Sequence, residues 1–252
     1  MKSNRLSQVH QVVEWCPTCA APCILSEIKF VEKKSRSVYV KFDLTNESVW
    51  AFPELGEISR NEGAVRVCIL VETLNPWVLP FSLGISLHSK WDYVAIKVPA
   101  LDGTEIWIVA QIFQEAIEKF IGFEKHSLPL LHFQGGVLHR HYVKHPFFLK
   151  NLMIILSDQM GYASGTGAVL INPGLNRDDY QLGLLYGLRI DSLINDQGRY
   201  TVDFPEMEGQ SLFQANDWII SNLQDSGIIL LQEDVLSRYL CCCRCDQPII
   251  LR

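Results

Sequence analysis

The cysteines constrain this chain more than any other feature, because they gather at its two ends. Cys16, Cys19 and Cys23 stand near the start, Cys241, Cys242, Cys243 and Cys245 near the finish, and Cys68 alone lies between. Cys16-Pro-Thr-Cys19 and Cys242-Cys-Arg-Cys245 are both C-x-x-C turns. Each such turn presents two thiolates at the bite that tetrahedral Zn²⁺ requires, so two of them complete a Cys₄ set. A zinc ribbon spaces its pairs about 15–20 residues apart; pairs ending at 19 and resuming at 242 make no local ribbon. Two other readings stay open. A disulfide fits poorly with a chain whose opening, MKSNRLSQVHQVVEW, has no apolar signal region. Chance clustering is harder to set aside, since the 241–245 run offers several second pairs. Structural zinc on Cys16, Cys19, Cys242 and Cys245 is the preferred expectation. It brings the first and last elements side by side, as in a domain inserted into another chain.

At 252 residues the chain is one large domain or two small ones, long enough to bury a substantial core. With 48% hydrophobic residues and a net charge of −6 it is not expected to be disordered. No apolar run approaches the roughly 18 residues of a membrane-spanning helix, and a cytoplasmic protein without membrane contact is expected. The negative charge argues against a broad electrostatic grip on nucleic acid. It is compatible with handling only the end of one.

Hydrophobic periodicity supplies the elements. Residues 35–44 alternate, with Val38, Val40, Phe42 and Leu44 on one face of a strand. Strands are also predicted at 65–71, 92–98, 104–110, 136–142, 152–156, 168–171 and 228–231, with a turn at 99–103. A helix is predicted over 111–121 before Gly122, and a second from the Ser211/Gln214 capping box to about Ser226 before Gly227. Strands without regular β-α-β alternation imply an α+β fold or a barrel decorated with helices. No linker or repeat divides the chain.

Three segments stand out for chemistry. Gly165-Thr-Gly leads through Pro173-Gly174 to the acidic pair Asp178 and Asp179, where a loop turns into a helix. Glu72-Thr-Leu-Asn-Pro-Trp-Val-Leu-Pro80 is a rigid apolar loop after a central strand. His139-Arg-His-Tyr-Val-Lys-His145 places histidines alternately; metal binding is one reading, and a solvated strand face is preferred.

In this order the segments resemble the connective-polypeptide editing domain of isoleucyl-tRNA synthetase, a class Ia enzyme. Residues 165–180 are similar to the motif G-T-G-A-V-H-x-A-P-G-H-G-x-x-D-Y, and residues 73–80 to W-T-T-T-P-W-T-L-P. TrpCysProThrCys at 15–19 and CysCysArgCys with ProIleIle up to position 250 resemble the flanks where that insertion leaves the synthetase core. The chain departs from the motifs at several positions. Leu170 and Leu175 stand where the motif has histidines, Leu74 and Asn75 where it has threonines, Ser82 at its closing asparagine, and Glu72 at its opening tryptophan.

The resemblance implies a β-barrel-like editing domain surrounded by helices over 35–235, flanked by zinc knuckles at 1–34 and 236–252. It implies hydrolysis of mischarged Val-tRNA(Ile), because one methylene is worth only about 1–3 kcal/mol of discrimination in a synthetic site and a second site must discard the error. Asp179 matches the carboxylate that holds the substrate's α-ammonium, with Thr73 beside it as the second catalytic candidate. Asn75, Trp77, Ser82, Leu170 and Asp178 would line the pocket, and the backbone of Gly165, Thr166 and Gly167 would approach the ester. The partners implied are the acceptor end of tRNA(Ile) and a separate synthetase core. No HIGH-like or KMSKS-like segment is present, so no ATP site and no ligation are expected. The alternative is a module that binds the acceptor end, or a synthetase, without hydrolysis.

Overall fold

Val38, Val40 and Phe42 share one face of the longest strand, and what covers that face organises the fold. A computed structural model describes residues 12–100, 102–122, 128–158, 165–190 and 192–252. Its strands are β1 (Glu14–Cys16), β2 (Ala21–Pro22), β3 (Ile28–Asp43), β4 (Ala64–Thr73), β5 (Gly84–Leu87), β6 (Asp92–Ala100), β7 (Gly103–Ala110), β8 (Leu131–Gln134), β9 (Tyr142–Lys144), β10 (Asn151–Leu156), β11 (Ala168–Ile171), β12 (Ile229–Cys242) and β13 (Ile250–Leu251). The helices are α1 (Asn46–Ala51), α2 (Pro53–Asn61), α3 (Gln114–Phe120), α4 (Arg177–Tyr186) and α5 (Ala215–Asp225).

Six strands form the main sheet in the order β12-β3-β4-β7-β6-β8, with β4 and β7 parallel. Four form a second sheet, β11-β5-β10-β9, with β5 and β10 parallel. The inner face of the main sheet (Val38, Val40, Ile69, Val71, Ile108) packs on Ile85, Ile154 and Leu170 of the second in one core. Its outer face buries Cys68, Leu70, Ile96 and Trp107 with Ile117 of α3. A strand covered on both faces reads as a continuous apolar run rather than an alternation, which is why β4 runs Val67 to Val71 without a break.

The α+β class holds. The two sheets face each other and stay open rather than closing into a barrel, and the bridge Leu44↔Val143 joins them at one corner. Edge strands of three and four residues, β9 and β11, offer too little ladder to wrap a closed cylinder.

Beyond Val38, β3 loses β4 and pairs with β12 alone, in register from Gln232↔Val38 out to Cys242↔Ile28. This two-stranded ribbon carries the small sheet β13-β1-β2 at its tip. It runs straight through positions 34/35 and 235/236, where the flanks were expected to meet the domain, and it extends far past the strand predicted at 228–231. Residues 1–11 of the first flank, and residue 101 of the predicted 99–103 turn, lie outside the described residues.

The helix predicted over 111–121 begins as a 3₁₀ turn, Gln111–Phe113, and becomes α3; Gly122 follows at φ 78°. Helix α5 starts beyond the reciprocal Ser211/Gln214 contacts and ends before Gly227 at φ 64°, as expected. The strand predicted at 136–142 is instead a 3₁₀ turn, Gly135–Leu138. Gly135 lies so close to the neighbouring chain that a Cβ there would sit 2.3 Å from the His88 carbonyl oxygen. His139 and His141 therefore occupy turns rather than a strand face. His145 is buried, its Nδ1 accepting from the Phe147 and Phe148 N–H groups, and burial helped by Lys150 lowers it to about 3. It is a neutral structural histidine.

Candidate functional site

The parallel pair β4 and β7 ends at Thr73 and Ala110, and loops gather beyond those ends, where open sheets usually place their ligands. The Thr73 hydroxyl accepts from the Asn75 N–H at 3.2 Å and donates to the Asn75 carbonyl at 3.4 Å, closing a turn on its own loop. Asn75 Oδ1 accepts from the Tyr239 hydroxyl at 3.1 Å. The 3₁₀ helix Pro76–Phe81 follows. Trp77 is buried in it, edge-on to Phe81 and Phe213, and its backbone N–H donates to Asn216 Oδ1 at 2.9 Å.

The Gly165-Thr-Gly turn lies across the same strand ends. The Gly165 N–H donates to Glu72 Oε2 at 3.0 Å, and the Thr166 carbonyl accepts from the Ala110 N–H at 2.9 Å. Gly167 has φ 81°, and a Cβ there would lie 2.3 Å from the Ala110 Cβ. Glycine is required at this position both for the left-handed backbone and for the close approach.

A second polar group forms beyond the other end of β11. Asn176 caps α4, its Oδ1 accepting from the Asp178 and Asp179 N–H groups. Asp179 Oδ2 accepts from the Asn172 N–H at 2.8 Å, and Asn172 Oδ1 accepts from the buried Ser82 hydroxyl at 3.1 Å. Burial raises the Asp179 carboxyl to about 6; the Asn172 N–H opposes this and the Asp178 charge adds to it. Asp178 itself is exposed.

The fold thus joins Thr73, Asn75, Gly165 and Thr166 in one group and Ser82 with Asp179 in another. The four residues of β11, about 13 Å of extended chain, separate them. Leu170, in the middle of β11, is 6% exposed and packs in the core. One further residue orients each group and is not among the expected site residues: Asn172 in the second and Glu72 in the first. Asn172 stands where the motif has alanine and contacts Ser82, which stands where the motif has asparagine. Glu72 replaces the motif's tryptophan. Departures from a motif that touch one another in space were the available signal.

At the ribbon tip, the sulfurs of Cys16, Cys19, Cys242 and Cys245 all lie within 4.8 Å of one another. The Cys19 N–H donates to Cys16 Sγ at 3.3 Å, and Cys16 and Cys245 Sγ are 3.5 Å apart. Burial pushes the Cys16 thiol up to about 12. Burial acts on Cys242 in the same sense but is outweighed by the Arg244 side chain and the Arg244 and Cys245 N–H groups, which draw it down to about 6. Four thiols at this spacing, two buried and two half-buried, could hold a metal such as zinc.

No family model matches the chain. The isoleucine–tRNA ligase of Geobacter sulfurreducens is 31% identical over 240 residues, and that of Fervidobacterium nodosum 30% identical over 252. Over its whole length the chain is homologous to part of the isoleucine–tRNA ligases. The alignments cover 95% and 100% of it but only 25% of each ligase, so it spans about a quarter of the length of these relatives. Its fold is that of solved editing domains from the leucyl enzymes. GlLeuRS-CP1 matches at TM-score 0.59 and 13% identity, over 78% of this chain and 99% of that one. The editing domain of the Plasmodium falciparum cytosolic leucyl-tRNA synthetase matches at 0.58 and 11%, over 79% and 99%. Among the described residues no helix is long and apolar enough to cross a membrane.

Proposed function

We propose that this chain hydrolyses the ester of a misacylated tRNA, with Val-tRNA(Ile) as the substrate. The observation that carries the reading is Asp179. It is a partly buried carboxylate, oriented by a backbone N–H and kept in a setting that disfavours its charge. A cationic α-ammonium is the group that would relieve that cost, through a strong and directional charge-assisted hydrogen bond. The aminoacyl ester would then lie along β11 towards the Gly165–Gly167 backbone. Water attacks the ester carbonyl, the carbonyl carbon–oxygen bond to the terminal ribose breaks, and the ribose hydroxyl leaves with a proton. Thr73, Asn75 and Trp77 belong to the loop that would meet the terminal adenosine. Leu170 backs this surface from the core, Ser82 acts on it through Asn172, and Asp178 keeps the entrance acidic.

Single-turnover deacylation of Val-tRNA(Ile) tests this directly. The wild-type chain should hydrolyse it and Asp179→Ala should not; equal rates would remove Asp179 from the chemistry.

A second reading, acceptor-end binding without hydrolysis, is favoured by one observation: the Thr73 hydroxyl is spent on its own loop rather than left free for water or substrate. Gel-shift binding of tRNA(Ile) with no deacylation would support it. We further propose that the four clustered cysteines hold one Zn²⁺ that locks the ribbon tip, and that a synthetase core and the acceptor end of tRNA(Ile) are the partners. The place of action is then the cytoplasm, where such tRNAs are charged.

A further inference from the structure

Thr73 and Gly165 open the two loops of the first polar group, and one side chain joins them. Glu72 stands immediately before Thr73 at the end of β4, directly across from Tyr39 of β3. Its Oε2 accepts from the Gly165 N–H at 3.0 Å, and its Oε1 accepts from the Ser37 hydroxyl at 2.6 Å. Ser37 and Tyr39 lie two apart on β3, hence on the same face, and both are buried. Burial, with the Glu72 charge beside it, pushes the Tyr39 hydroxyl up to about 12, so it remains a neutral phenol. Gly165 fits against this group only because it has no side chain. A Cβ there would sit 2.5 Å from Glu72 Oε2 and 2.9 Å from the Tyr39 hydroxyl.

Both carboxylate oxygens of Glu72 are thus occupied, one by a backbone donor and one by a buried hydroxyl that fixes its rotamer. This is the arrangement of a brace rather than of a base waiting for a proton. A backbone N–H held by an ionised acceptor is bound about twice as strongly as one held by a neutral group. The next carbonyl, of Thr166, is held from the other side by the Ala110 N–H. The turn is therefore pinned at two consecutive residues, one contact from each of the parallel strands β4 and β7.

We propose that Glu72 is a positioning residue: through Gly165 it fixes the Gly165–Gly167 backbone against the Thr73 loop, with Ser37 as its support, so that the turn meets the ester in one geometry. This rests on the hydrolytic reading above. Positional error of a fraction of an ångström in such a turn costs rate rather than affinity.

The test uses the full chain with Glu72→Ala, Glu72→Gln and Ser37→Ala, and two independent readouts. One is hydrogen exchange at the Gly165 amide; the other is single-turnover deacylation of Val-tRNA(Ile) alongside its binding affinity. Glu72→Ala should accelerate Gly165 exchange by about tenfold or more. It should slow deacylation by about tenfold to a hundredfold while binding stays unchanged. Glu72→Gln keeps a carbonyl acceptor for Gly165 and an amide donor for Ser37, and should return both readouts to within about threefold of wild type. Ser37→Ala should fall between. The proposal is overturned if Glu72→Ala leaves Gly165 exchange unchanged, if exchange rises without loss of rate, or if Glu72→Gln is as impaired as Glu72→Ala. A wild-type chain with no hydrolysis at all overturns the functional reading, and the positioning role with it. The exchange readout still reports, in that case, whether Glu72 braces the turn.

Discussion

Replacing Asp179 by asparagine removes a partly buried negative charge while leaving an oxygen to accept from the Asn172 N–H. The carboxyl is raised from 3.8 to about 6, chiefly by burial. At about 1.4 kcal/mol per unit that displacement corresponds to at most about 3 kcal/mol. The side chain is partly exposed, so solvent screening reduces the expected gain for Asp179→Asn to about 1–2 kcal/mol at neutral pH. The sign follows from proton linkage. A carboxyl whose folded value lies above its unfolded value binds more protons in the folded state through that window. Its charge therefore costs stability that is fully felt above about pH 6 and absent below about 3.8. Urea unfolding of wild type and Asp179→Asn at about pH 7.5 and about pH 4.5 measures this. The variant should be more stable at the higher pH, by about 2–6 °C in a parallel melt, and the gap should close towards the lower pH. A variant less stable than wild type at about pH 7.5, or a gap that ignores pH, would refute the claim that Asp179 is held charged against its surroundings. A charge retained at such a cost is what a binding group for a cation looks like.

Other consequences are simpler. Gly167→Ala meets the Ala110 Cβ and an unfavourable φ together, and should cost about 2–4 kcal/mol in chemical denaturation. A double-mutant cycle on Ser82→Ala and Asn172→Ala should give a coupling energy of about 0.5–1.5 kcal/mol, as expected for one buried hydrogen bond. Purified chain should carry about one zinc per molecule, lost on joint replacement of Cys242 and Cys245 by serine, and a strong chelator should lower its melting temperature.

Much of the core could be read directly from the sequence, because it depends on local pattern. The alternation through Val38, Val40 and Phe42, the apolar run of β4 and the glycine after α5 each reflect a nearest-neighbour rule, and the structure follows them. The 3₁₀ turn at Gly135–Leu138 could not be read that way, since the close approach of His88 is a tertiary fact. The ribbon was hidden for a related reason. Beyond Leu231, β12 carries Glu233, Asp234, Ser237 and Arg238 between its apolar residues, and it is held as a strand by β3, some two hundred positions earlier. The cysteine clasp was legible because C-x-x-C encodes its own geometry. The polar groups were only half legible. The motif pointed to Asp179 and Thr73, but the contacts that orient them run through Asn172 and Glu72, residues that stand out only once the chain has folded.

The central claim is that this fold still removes an amino acid from tRNA and that Asp179 is the group that holds it. Deacylation of Val-tRNA(Ile) by the purified chain, measured from about pH 5 to pH 8, tests it most directly. The account predicts hydrolysis that rises as the Asp179 carboxyl ionises around pH 6 and is abolished in Asp179→Ala. A tRNA ester that survives the wild-type chain, or is lost at the same rate with Asp179→Ala, would contradict it.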